Sequence, residues 1–464
     1  MIKKYTLALG LFVSVVAYAE TIATQAPASS IFSFGGDVRF RNEYFNNDLT
    51  LNDTTAGHEQ DYFRTRTRFW VSYVPVSAFT FNARLAAEPR TWMLQPTFAK
   101  QHPGLGTEWR YAIVDLLNAK WTLAPEGPWA ITCTAGRQDI QLGEAGSWWL
   151  VADGTPGDGS WTTFFDALRI SIENKKTKAK LDFVALSQRA VPDSNLGIIG
   201  ARNTYSLTEQ NEKGLMLYAS IPVAPETRLD SYAFYKRDRK AFSTGDTANI
   251  YTVGSRVYGT QGEHWSYSTE AAVQGGSKTD GAIKWSGTVG KERDIRAWGT
   301  NARLTYLLKD TWSNKFNLNF EYLSGDDPKT QDKDEMFDIL WGRYPRWSDA
   351  YAFAYAPETG GKIAQLNNLI RLGPSWSMSP SKTLNISAAY SILLAPEAVP
   401  TRATNSSLFS FNGHKRGDYC QLVVRQQFNK NLSGLVCLEI LTQGNFYVNR
   451  DMQSFLRMEI ATQF

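Results

Sequence analysis

From residue 33 to the end of the chain, apolar and polar side chains alternate in segments of about ten residues, the rhythm of strands with one face in hydrocarbon and one in water. Phe79, Phe81, Ala83 and Leu85 form one apolar face, with Asn82 and Arg84 between them. Trp298, Thr300, Ala302, Leu304, Tyr306 and Leu308 form another, interrupted by Arg303; Leu384, Ile386, Ala388, Tyr390 and Ile392 form a third, interrupted by Asn385 and Ser387. The chain ends on the same beat: Leu456, Met458, Ile460, Thr462 and Phe464 share a face, and Arg457, Glu459 and Gln463 share the other. A period of two predicts strands and not amphipathic helices.

About eighteen such segments follow one another, from 33–44 and 61–74 through 364–377 and 382–394 to 415–427, 432–443 and 453–464. Their connections alternate in length. Short turns stand at Val74-Pro75-Val76-Ser77, Ala124-Pro125-Glu126-Gly127, Asn174-Lys175-Lys176, Val223-Ala224-Pro225 and Asn429-Lys430-Asn431. Longer loops lie between them at 45–60, 90–110, 139–161, 190–211, 275–293, 325–363 and 395–414. A soluble β-sandwich has no reason to keep that alternation in phase. The expected fold is all-β: a transmembrane antiparallel β-barrel of about eighteen strands, with short periplasmic turns and long extracellular loops.

The N-terminus fits this compartment. Lys3 and Lys4 precede a short apolar run, Leu7 to Val16, and Ala17-Tyr18-Ala19 has the small-x-small form of a cleavage site. The expected organisation is a signal peptide at 1–19, a flexible leader at 20–32 and a barrel domain at 33–464. Hydrophobic residues make up 43% of the chain, and the mean hydropathy is −0.34. Both values would also suit a soluble protein; a barrel reaches them because every second strand residue faces water. Aromatic content of 13%, with 15 Trp and 21 Tyr, fits girdles at the membrane interfaces. The formal charge of +4 falls to +2 when Lys3 and Lys4 leave with the signal (4 − 2), and nothing in it points to nucleic acid. The alternation puts Cys420 on the lipid face and Cys437 on the lumen face, so all three cysteines are expected to be free.

Turning the apolar sets outward turns the charges inward, because a charge facing lipid costs about 2–4 kcal/mol at the bilayer midplane. Arg39 and Arg41 on the first strand, with Glu43, and Arg64, Arg66 and Arg68 on the second are expected in the lumen: five arginines against one glutamate. Arg84, Arg169, Arg256, Arg303, Arg371, Arg425 and Arg457 follow by parity. Arg137 joins them through a phase shift near Trp129, Ile131 and Cys133, and Asp166 joins only if its strand alternates strictly. Any one of these arginines can equally pair with lumen acids and stiffen the wall. As an excess in a narrow channel, they would concentrate anions and reject cations. Their planar forks suit the carboxylate that a uronic-acid polymer presents at every sugar.

Several stretches resemble the alginate-export porin family of outer-membrane barrels. They are Gly136-Arg137-Gln138, Asp153-Gly154-Thr155-Pro156-Gly157-Asp158-Gly159-Ser160, Phe164-Phe165-Asp166-Ala167-Leu168-Arg169, Tyr322-Leu323-Ser324-Gly325-Asp326-Asp327, Gly342-Arg343-Tyr344-Pro345-Arg346-Trp347-Ser348, and Glu439 with Gly444-Asn445-Phe446-Tyr447. The resemblance implies a monomeric eighteen-strand barrel whose Arg-rich constriction passes an anionic exopolysaccharide outward. Arg137, Asp166, Arg169 and Glu439 match its pattern, and Trp161 departs from it where a basic residue is expected. It also implies outer-membrane lipid and the barrel-assembly machinery as partners, together with periplasmic export components.

No catalytic constellation competes with this reading. Among His58, His102, His264 and His414 none sits in a metal-ligand or nucleophile motif. The acids of loop 326–335 lack calcium-loop spacing and read as a solvated acidic loop. Loop 153–160 reads either as a pore gate or as a plain tight-turn loop. No cofactor or metal is expected. The function expected is an Arg-lined outer-membrane channel for anionic solutes, exporting an acidic exopolysaccharide such as alginate. The alternatives are an uptake porin for small anions or oligosaccharides, a barrel enzyme, and a plugged structural barrel.

Overall fold

In the computed structural model, residues 31–94, 106–108, 112–123, 127–144, 149–152, 164–191, 207–280, 290–362, 364–400 and 406–464 are described. The expected signal, most of the leader, His102, loop 153–160 and Trp161 lie outside them.

Eighteen strands form the wall. They begin with β1 (Phe32–Asn46), β2 (Glu59–Val76), β3 (Phe79–Ala87), β4 (Ala112–Leu123), β5 (Trp129–Gln138) and β6 (Phe165–Asn174). Next come β7 (Lys180–Gln188), β8 (Gln210–Ala224), β9 (Thr227–Lys240), β10 (Thr247–Gln261), β11 (Trp265–Thr279) and β12 (Glu292–Leu307). The last six are β13 (Lys315–Leu323), β14 (Leu369–Met378), β15 (Leu384–Leu394), β16 (Lys415–Gln427), β17 (Leu432–Gln443) and β18 (Met452–Gln463). Each pairs antiparallel with its neighbours in sequence, and β18 closes the barrel on β1, with Phe40 opposite Ile460 and Arg41 opposite Glu459. Phe464 and Gly36 exchange two backbone hydrogen bonds of 3.0 Å at the seam.

The alternation decides which way each side chain faces. Phe81, Leu85, Trp298, Leu304, Tyr390 and Ile392 are exposed on the outer wall, while Arg84 and Ser391 are buried inside. The three cysteines are free. Cys420 is exposed and Cys437 buried, and in the β16–β17 register Cys437 faces Val423.

The wall rises high in two sectors. β8 to β12 run 14 to 16 residues, and β1 and β2 run 15 and 18, against the roughly 9–11 a tilted strand needs to span a bilayer. The surplus extends at the loop end. Loop 90–110 is partly strand as well: after the break at Pro89, Arg90–Leu94 pairs back onto β2 and carries Gly106–Glu108 on its other edge.

The largest departure from expectation is loop 325–363, which folds into the barrel and not away from it. Phe337, Ile339, Leu340, Tyr351 and Tyr355 are buried there, packed with Ile140, Leu142, Trp149, Leu150 and Val151 of the loop after β5. The two loops join through a parallel bridge between Val151 and Trp341. Wall glycines seat their indoles: a Cβ at Gly214 would lie 2.6 Å from Trp341, and one at Gly299 would lie 2.9 Å from Trp149. One helix, α1 (Asp349–Ala354), follows, with Ser348 as its N-cap accepting from the Tyr351 amide at 2.9 Å.

The acidic stretch 326–335 also differs from the solvated loop expected. Asp326 and Asp334 are buried against the guanidinium of Arg293, at 3.1 and 2.7 Å, and Asp280 joins them at 3.0 Å. Lys278 lies 3.3 Å from Asp334, and Lys362 lies 3.0 Å from Asp246. Arg293 and Lys278 lie on the inner face at the extended loop-end tips of β12 and β11, so they reach acids that the shorter expected strands could not.

Candidate functional site in the lumen

The seam between β18, β1 and β2 brings the arginine-rich strands together, and with them more acids than the strand-by-strand reading allowed for. Arg64 is 1% exposed and bridges Glu43 at 2.7 Å and Glu88 at 2.6 Å. Arg39 reaches Glu88 at 3.2 Å, and Arg41 reaches Glu459 at 2.5 Å. Arg457 bonds Glu43 through its Nε at 2.8 Å and Asp349 of α1 at 2.8 Å. Arg66 and Arg68 share a single carboxylate, Asp37, at 3.2 and 2.7 Å. The expectation of five arginines facing one glutamate is therefore corrected: Asp37, Glu88 and Glu459 also belong to the network. Asp37 lies within β1 and shares the inward parity of Arg39, so the alternation itself places it in the lumen; Glu88 was missed because it lies just past the end of β3, before Pro89. Glu459 became a partner only through barrel closure.

A charge surplus survives. Arg425 on β16 faces the lumen between Asn385 and Leu435, close to Arg457 and Glu459, and has no ion-pair partner among the described residues. With it, seven guanidinium groups (Arg39, Arg41, Arg64, Arg66, Arg68, Arg425 and Arg457) stand among six carboxylates of the described residues (Asp37, Glu43, Glu88, Asp349, Glu439 and Glu459).

The remaining predicted site residues are spread around the wall and paired. Arg84 bonds Asp115 at 2.8 Å and Asp139 at 3.0 Å; Asp115 reaches it from a bulge in β4. Arg169 bonds Asp182 at 2.9 Å and Arg256 bonds Asp230 at 2.6 Å. Alternation breaks at Gly136, whose φ of +115° favours glycine. Beyond it Arg137 closes on Asp166 at 2.9 Å and lies over the ring of Phe164. Arg303 meets Glu144, and Arg371 lies 3.8 Å from Glu321 with its guanidinium over Trp347. Glu439 is fully buried and holds α1 in place. It accepts from the Ser348 hydroxyl at 2.5 Å and the Ala350 amide at 3.0 Å.

Toward the short-turn end the inner wall is rich in amides and hydroxyls. Ser72 donates to Asn82, which donates to Asn118. Thr305 donates to Asn317, and Asn317 and Asn319 both donate to Ser375. Such groups bond sugar hydroxyls, while the surplus guanidinium groups bond carboxylates. The described residues hold no cluster of metal-ligating side chains. His58, His264 and His414 are engaged with Asn46 and with the carbonyls of Leu307 and Ala395.

Comparison with known proteins agrees with this architecture. A search of curated proteins found no significant match. Among solved structures the chain is similar to OccK5 (OpdH) of Pseudomonas aeruginosa, at 10% identity and a TM-score of 0.52, covering 93% of this chain and 98% of that one. It is similar to OccAB1 of Acinetobacter baumannii at 9% identity and TM-score 0.54, covering 93% and 96%. It is likewise similar to P. aeruginosa OccK8 (OprE) at 10% identity and TM-score 0.54, covering 93% and 98%. At such identities the likeness establishes the fold. The sequence itself matches the family described as alginate export over residues 30–459. The chain therefore belongs to the alginate export family, as an outer-membrane β-barrel channel and not an enzyme.

Proposed function

We propose that this barrel passes an acidic polysaccharide such as alginate outward by facilitated diffusion. The observation that carries this reading is the unbalanced cation set at the β16–β18–β1–β2 seam, where Arg66 and Arg68 share Asp37 and Arg425 has no carboxylate partner among the described residues. A uronate entering the lumen replaces the missing counter-charge. Each carboxylate is held weakly enough to step to the next site, and the Asn and Ser side chains below bond its hydroxyls.

Uptake of small anions or oligosaccharides is the second reading. It is favoured by the two inward loops, whose buried aromatic side chains narrow the lumen.

Reversal potentials in planar bilayers test the charge assignment. The wild type is expected to prefer anions, and a variant with Arg66, Arg68 and Arg425 replaced by Ser is expected to lose most of that preference. Cation preference in the wild type would sink both readings. Direction is read in cells: loss of the gene should trap polymer in the periplasm if the channel exports, and should abolish growth on oligouronates if it imports.

A further inference from the structure

The outer wall carries one sector unlike the rest. At the loop end of β8 and β9, Lys213 and Arg237 are direct cross-strand neighbours, and the exposed Arg239 lies opposite Asn211. All three follow the outward parity of Leu215, Leu217 and Ala233, and none has an ion-pair partner among the described residues. Like charges placed directly opposite one another destabilise a sheet. Elsewhere on the outer wall, loop-end positions carry acids: Glu59 and Asp61 on β2, Glu292 and Asp294 on β12, and Asp418, which holds Lys415, on β16. Along β7 to β10 no described outward residue at that end is acidic.

Directly beneath the cations, toward the midplane, the wall forms a groove. Phe183, Leu215, Leu217, Ala233, Tyr251 and Val253 line it, with the small side chain of Ala233 as its floor. Tyr235 stacks on Tyr251 with ring centroids 5.1 Å apart and donates its hydroxyl to Asn249, as expected of an aromatic pair at the membrane interface. Lys213 stands two residues above Leu215, and Arg237 two above Tyr235, which is about 7 Å along a strand.

We infer that this sector is a binding site for a phosphorylated, multiply acylated glycolipid of the outer leaflet. Acyl chains lie in the groove, and the phosphates sit between Lys213, Arg237 and Arg239. In an outer-membrane barrel the long-loop end faces outward, so cations and groove are stacked in the order that headgroup and chains present. Phosphate supplies the counter-charge that the neighbouring strands lack. The site lies on the lipid side of the wall, so it is independent of what passes through the pore.

Native mass spectrometry of the detergent-purified barrel tests this, with bis-phosphorylated lipid A, its dephosphorylated form and phosphatidylglycerol as probes. The wild type should retain bis-phosphorylated lipid A. Roughly tenfold weaker binding is expected for the dephosphorylated form, for phosphatidylglycerol, and for a variant combining Lys213→Ser, Arg237→Ser and Arg239→Ser. Ala233→Trp, which fills the groove and leaves the charges in place, should weaken lipid A as well. Equal binding by the wild type and both variants would overturn the site, as would phosphatidylglycerol binding as tightly as lipid A.

Discussion

Two sides of the lumen are filled by different means. Around the β16–β18–β1–β2 seam the wall's own side chains meet, and a lattice of guanidinium and carboxylate groups forms mainly from strand residues, with Glu88 just past β3 and Asp349 of α1 completing it. Opposite, along β8 to β13, wall residues such as Met216, Phe234, Ile250 and Ile295 are buried by Trp149, Phe337 and Trp341, which arrive from loops. The first arrangement follows chiefly from strand register, with α1 adding one carboxylate to it. The second exists only while the loops stay inside. On the proposed function, the charge that would select an ion and the width that would limit its flow are set by different parts of the chain.

Cutting out the loop is the strongest test of that separation. Replacing residues 336–362 with a short Gly-Ser linker should raise single-channel conductance several-fold and leave anion preference standing. A conductance like that of the wild type would mean that the loops do not set the width. Loss of anion preference would mean that they, and not the seam, set the sign.

Within the seam, buried and unpaired arginines should behave oppositely. Arg64→Ala takes one partner from each of Glu43 and Glu88, both nearly inaccessible and left with Arg457 and Arg39, so the loss should be substantial but below the ~3–5 kcal/mol of a buried pair broken outright. The denaturant midpoint of the refolded barrel should fall accordingly. Arg425→Ala removes no ion pair, so its midpoint should stay near the wild-type value while anion preference drops. If Arg425→Ala proved as destabilising as Arg64→Ala, the guanidinium would be structural and the surplus would have to be sought elsewhere.

How much of this was legible in the sequence divides along the same line. Strand residues were readable because lipid imposes a period of two: segments 415–427 and 432–443 coincide with β16 and β17. The inner positions of Arg39, Arg64 and Arg84 followed from the same rule. Their partners did not, because pairing depends on register and closure, which bring Glu459 beside Arg41 across the whole length of the chain. Loop residues were harder. Met336-Phe337-Asp338-Ile339-Leu340-Trp341 has no period to read, and its apolar content means burial only once the tall β8–β12 wall offers a surface. Glu439 stood out through the family pattern, but its duty as an acceptor for the start of α1 required knowing that a helix lay inside the barrel.

The subtlest test concerns the root of the inward loop. Burial, and then the neighbouring Asp334, push the Asp326 carboxyl up to about 7 despite the opposing pull of Arg293. A carboxyl whose folded value lies above its unfolded value binds more protons in the folded state. Its contribution is therefore fully present below the ordinary aspartate range and is lost as pH rises through that range toward about 7. Asp326→Asn fixes the neutral form and still offers Arg293 an oxygen. The gap in melting temperature between Asp326→Asn and the wild type should therefore widen in favour of the variant from about pH 4 to pH 7, then level off. A gap that stayed constant over this range would mean that the Asp326 carboxyl stays charged throughout it. The loop would then be anchored by fixed charge alone, and the loop-filled side of the lumen would be as insensitive to pH as an apolar core.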